Sequence, residues 1–216
     1  GAFFLIPILG IILMSGWRSE IKQSEAFFSQ FAIPKKSLMS VGLIAFCSSL
    51  GEGGVADWGA LYLVLVTQAS QADAALGFAI FSLAMVIFRL MGDKIIALLG
   101  KVSTGRASAL TAFLGAALVL SSGYYPIILC GLALMGAGYA ILIPVCFSRA
   151  AEEPSVSPGA AIASVSTLGY SGFLLGPPVL GLVAEYTSMA SVFIILMLLT
   201  AIIFAASKQL APSNSK

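Results

Sequence analysis

An all-α membrane protein is the fold class this sequence predicts, and three observations predict it. Of its 216 residues, 59% are hydrophobic and only 9% charged, whereas an ordinary soluble domain carries about 25% charged residues. No water-facing surface can be built from that composition. The apolar residues gather into seven segments, several of them near the ~20 residues that a helix needs to cross a bilayer. Finally, all eleven Lys and Arg residues fall at or beyond the segment ends of one face, as expected when basic loops remain cytoplasmic.

The first segment, Gly1 to Gly16, is short and lacks the basic leader of a signal peptide. It is expected to be the end of a transmembrane helix that begins upstream. Residues 17–37, WRSEIKQSEAFFSQFAIPKKS, form the longest polar stretch and read as a cytoplasmic interdomain linker. Within it, Phe27, Phe28 and Phe31 could hold a short amphipathic helix on the membrane surface, although a loose loop fits equally well. Six further segments follow: Leu38 to Thr67, Ala74 to Met91, Ala107 to Leu120, Tyr125 to Phe147, Gly159 to Ala184 and Ala190 to Ala206. Together they predict a six-helix transmembrane bundle over 38–207 and a cytoplasmic tail over 208–216. The segment from Ala107 is too short unless Ser121 to Gly123 extend it.

Charge placement sets the orientation. Arg18, Lys22, Lys35 and Lys36 precede the first complete span; Arg89, Lys94, Lys101 and Arg106 flank the second gap; Arg149 follows Phe147, and Lys208 and Lys216 close the chain. The other connections, TQASQAD, SSGYYP and EYTSM, hold none. The bias predicts a cytoplasmic C-terminus in what is expected to be a bacterial inner membrane.

Several chemistries are excluded. A net charge of +2 without a basic, aromatic-interleaved patch argues against nucleic acid. The chain has no histidine, which removes the commonest catalytic base and metal ligand, so neither an enzyme nor a metal or other cofactor is expected. A retinal protein would need a Schiff-base lysine, which the last span lacks. Cys47, Cys130 and Cys146 are far apart inside apolar runs and read as small buried hydrophobes.

The stretch LGEGGVADWGALYL, Leu50 to Leu63, places Glu52 and Asp57 inside an apolar run. A charge at the centre of a span costs about 2.5–3.5 kcal/mol on insertion scales, so such residues usually face a protein interior or a wet cavity. If Trp58 and Tyr62 form the outer aromatic belt, Asp57 sits at the headgroups with Glu52 deeper; if the belt lies further out, both are submerged. Five residues at about 100° each set the two carboxylates about 140° apart, so they are expected to be separate devices. Gly51, Gly53, Gly54 and Gly59 weaken the helix and suit an interrupted span at a transport site, or alternatively a close packing face. A carboxyl in such a span could exchange a proton in step with solute movement.

Two motifs carry a family likeness. RLMGDKIIALLGK, Arg89 to Lys101, is a charged, Gly-containing turn, and its R-x-x-G-D-K followed by G-K resembles the signature in the cytoplasmic loops of major facilitator superfamily transporters. The match is partial, since Gly100 and Lys101 stand later than in the full signature. GFLLGPPVLG, Gly172 to Gly181, is similar to the Gly-Pro signature of that family's fifth and eleventh helices, with its last Gly one residue late. EGGVADWGALYL resembles the start of the second half in a prokaryotic permease-like branch.

The resemblance implies that the partial segment is helix six and the complete spans are helices seven to twelve, with a six-helix N-terminal half as partner. It implies further that Arg89, Gly92, Asp93, Lys94, Gly100 and Lys101 belong to a cytoplasmic gate, and that Gly172, Gly176, Pro177, Pro178 and Gly181 pack or hinge a helix. The first and fourth complete spans would then be counterparts lining a central cavity, which makes Glu52, Asp57 and Tyr139 candidate contacts for protons or a small solute. The expected function is secondary active transport by alternating access within the lipid bilayer, with a solute-binding membrane sensor as the alternative.

Overall fold

The computed structural model describes residues 36–212. The expected partial span over 1–16, nearly all of the linker and its Phe27, Phe28 and Phe31, and the final four residues lie outside the described residues. The described chain runs α1 (Lys36–Thr67), α2 (Gln71–Leu90), α3 (Gly92–Ser121), α4 (Tyr125–Tyr139), α5 (Leu142–Ala151), α6 (Pro158–Tyr186) and α7 (Met189–Ala206), closed by a 3-10 turn at Ser207–Leu210. Helices α4 and α5 form one bent span, so six helical units are long and apolar enough to cross a membrane.

Each boundary has a local cause. Ser70, Ser157 and Ser188 cap α2, α6 and α7 by accepting from the backbone N–H three residues on, which satisfies donors that the first helical turn leaves orphaned. Helix α3 begins fifteen residues before the expected start at Ala107. Charged and polar residues from Asp93 to Arg106 dilute the apolar signal there without disfavouring helix. Gly100, at φ 74° and ψ 161°, breaks α3 into a short arm and a main helix; only glycine adopts that conformation cheaply.

Helix α1 is the hub. It touches α2, α4, α5, α6 and α7, most extensively α6, and it is the most buried of the six spans, with Leu43, Leu61 and Leu65 left exposed. An interruption at its glycines is not observed: α1 is continuous from Lys36 to Thr67. The open sides of Gly51, Gly53 and Gly54 are filled by Tyr139, Phe173 and the pair Leu180 and Leu196. The glycines serve packing, the alternative the sequence left open, and a break falls instead at Ala140 and Ile141 between α4 and α5.

Small residues set the other close approaches. A Cβ at Gly115 would lie 2.6 Å from the Gly131 carbonyl oxygen, and one at Gly131 would lie 2.7 Å from the Gly115 carbonyl oxygen. Backbones of α3 and α4 therefore meet directly, which is how membrane helices gain packing without a hydrophobic driving force. Tyr62 is buried; its hydroxyl donates to the Val119 carbonyl at 3.2 Å and its ring packs on Phe193 at 4.6 Å. It is a core tyrosine, and the aromatic-belt reading does not hold for it. Tight packing runs past 207, since buried Leu210 reaches the open side of Gly105. Cys47 and Cys146 are buried, whereas Cys130 is exposed on the outside of its span.

Candidate functional site

Glu52 stands at mid-length of α1, sixteen residues after Lys36 and fifteen before Thr67. Its carboxylate meets the Arg89 guanidinium from the end of α2, where Nη2 lies 3.3 Å from one oxygen and 3.5 Å from the other. The short turn after Thr67 makes α1 and α2 an antiparallel hairpin, which brings these two residues to one level although 37 positions separate them. The same Nη2 is 3.4 Å from Met85 Sδ.

Arg89 has a second anchor, and a proline creates it. In an unbroken helix the Ala140 carbonyl would accept from the N–H of residue 144, but Pro144 has none. Helical bonds persist a turn before and immediately after, Ala140 N–H to the Gly136 carbonyl and Val145 N–H to the Ile141 carbonyl. Into the gap comes Arg89 Nε, donating to the Ala140 carbonyl at 3.2 Å. One guanidinium thus joins the carboxylate of α1 to the bend between α4 and α5.

These groups line a cavity of about 410 Å³, enclosed also by Ser49, Ile143, Pro144, Phe147, Ser166, Gly169, Tyr170 and Phe173. That volume falls within the range of small-molecule sites. Its walls are mainly apolar and aromatic, with the ion pair and the two serines as polar features. Such a space can enclose a compact solute, and its charged pair can be competed for by a charged or strongly polar group.

The other sequence candidates are distributed as follows. Asp57 is exposed on a different side of α1 and does not line the cavity. Tyr139 is fully buried behind it, with its ring against Gly51, and its hydroxyl has no partner among the described residues. Asp93 and Lys94 are exposed on the short arm of α3, neither in an ion pair among the described residues, while Gly92 is buried near Ile141. Lys101 pairs with Glu152 and donates to the Ser148 carbonyl, tying the start of the main α3 helix to the end of α5. Arg89 thus sits apart from its motif neighbours, in the cavity. Gly172, Gly176 and Gly181 of α6 face Phe46, Leu50 and Trp58 of α1, and Pro177 and Pro178 lie inside the same helix.

Sequence reasoning missed the cavity partners Tyr170, Phe173 and Ser166, which come from a helix noted only for glycines and prolines. It also passed over a buried pair, Arg149 with Glu153, whose i,i+4 spacing in RAAEE was a readable signal.

Comparison with known proteins gives one consistent result. The family model of the Major Facilitator Superfamily matches residues 27–214. An uncharacterized transporter of Sinorhizobium fredii is 40% identical over 91% of this chain and 52% of its own length. An uncharacterized MFS-type transporter of Yersinia pestis is 31% identical over 79% of this chain and 45% of its own length. The membrane protein MosC of Rhizobium meliloti is 29% identical over 93% of this chain and 50% of its own length. The chain spans about half the length of these curated relatives. With six spanning helices and this match over most of its residues, the chain is an integral membrane protein that belongs to the Major Facilitator Superfamily.

Proposed function

We propose that this chain forms the C-terminal half of a secondary transporter, in which the cavity carrying Glu52 and Arg89 contacts a small solute while two six-helix halves rock about it. The observation that supports the reading is the ion pair itself: a carboxylate at mid-span, held by one guanidinium nitrogen in an apolar cavity open to further ligands. Family membership and the transporter names of two relatives support transport in general. Proton coupling would fall to Glu52, the carboxylate that lines the cavity. Asp57 and Tyr139 are second-line candidates, one for its charge and one for its unpartnered hydroxyl. The basic ends of the bundle support a cytoplasmic C-terminus in a bacterial inner membrane.

The test begins with thermal-shift screening of the full-length transporter against sugars, amino acids and drugs, followed by proteoliposome uptake of the solutes that stabilise it. Glu52→Gln and Arg89→Gln are expected to lower uptake at least tenfold. Uptake and its pH dependence unchanged in Glu52→Gln would remove the proposal, and binding without any uptake would favour the sensor instead.

A further inference from the structure

We propose that the outer groove between α3 and α7 seats an anionic phospholipid of the cytoplasmic leaflet, with Arg106 holding its phosphate. The groove has a volume of about 220 Å³ and is lined by Ala109, Leu110 and Phe113 of α3 and by Thr200, Ala201 and Phe204 of α7. Its only polar side chain is already satisfied, because the Thr200 hydroxyl donates to the Met197 carbonyl at 2.7 Å. The groove is therefore an apolar channel on a surface where Leu110 and Phe204 are exposed, suited to an acyl chain and to little else.

Arg106 stands at one end of it. Its guanidinium lies over the Phe204 ring, 5.9 Å from the centroid, and its Nε is shielded from solvent without a hydrogen-bond partner. The other cations turned inward, Arg89, Lys101 and Arg149, each have a carboxylate; Arg106 has none among the described residues. A shielded guanidinium N–H left without an acceptor is costly, and its fork of donors matches phosphate oxygens.

Position selects a lipid over a free anion. Arg106 lies five residues after Lys101, near the end of the bundle that carries the basic loops, where anionic leaflets attract cations. From there the groove runs seven residues to Phe113, about 10 Å deeper by helical rise. A phosphate on Arg106 thus places its acyl chain along Leu110 and Phe113, whereas inorganic phosphate would leave the groove unfilled.

The experiment is native mass spectrometry of the purified full-length protein released from nanodiscs of phosphatidylcholine and phosphatidylglycerol in equal amounts. One phosphatidylglycerol per protein is expected to be retained over phosphatidylcholine, and Arg106→Gln is expected to cut that retention at least fivefold. Arg106→Lys, which keeps the charge, should retain part of it, and 10 mM inorganic phosphate should not displace the lipid. Equal retention of the two lipids by the wild type, unchanged retention in Arg106→Gln, or displacement by phosphate would each overturn the assignment. The lipid preference of the wild type decides the matter even if the Gln variant fails to fold.

Discussion

Two ion pairs in this bundle use the same chemistry in opposite surroundings. Arg149 and Glu153 lie one turn apart at the end of α5 and its following turn, with side chains only 6% and 5% exposed. Both terminal nitrogens of Arg149 donate to one Glu153 oxygen, and Ser155 donates to the other. Arg89 and Glu52 come from different helices, meet at the same 3.3 Å distance, and are 46% and 18% exposed. The first pair is sealed, so its members have no substitute partner. The second opens onto a cavity, so a solute can take the place of either member. Distance alone does not separate the sealed pair from the accessible one; exposure and the helices that contribute the partners do.

Breaking the sealed pair should produce the largest effect. Glu153→Gln leaves a guanidinium buried without its counter-ion, and loss of about 3–5 kcal/mol is expected for one partner of a buried pair. Chemical unfolding of the purified protein in detergent reads this directly; a change below ~1 kcal/mol would show that water reaches Arg149. The double variant Arg149→Met with Glu153→Leu comes next, expected to regain most of that loss because well-packed apolar residues often replace buried pairs without penalty. At the small end, Arg89→Gln should shift unfolding by at most about 1 kcal/mol, since partly exposed pairs contribute little, while its effect on uptake stays large. An Arg89 variant as destabilised as Glu153→Gln would erase the distinction between the pairs.

Much of the fold was legible because the bilayer enforces a simple code. Apolar length found the six spans. The boundaries it misplaced are those where a helix continues through charged and polar residues, as in α3 between Gly92 and Arg106. The site was half legible. Glu52 announced itself as an acid in an oily run, but its partner did not, because Arg89 reads equally well as a loop cation until the hairpin of α1 and α2 fixes its level. Pro144 marks its span in the sequence as one that can be interrupted, but the guanidinium that takes up the freed Ala140 carbonyl was not legible, since a missing donor finds its substitute only when a particular acceptor and a particular guanidinium face each other. The glycines of α1 left interruption and close packing both open for the complementary reason: local helix weakness is a property of the residue, whereas continuity was decided by the side chains of Tyr139, Phe173, Leu180 and Leu196 filling the spaces.

The direct meeting of peptide groups at Gly115 and Gly131 carries a mechanical consequence. With no side chains between them to change rotamer or slide, those two spans have no lubricating layer and must travel as one solid piece. Any rearrangement of the bundle is then confined to seams padded by flexible side chains. Helix α2 joins the same piece, because its Phe81 carbonyl closes on Gly136 of α4, so Arg89 reaches out of that piece only at Glu52 of α1, where the Tyr139 side chain pads the contact between α1 and α4.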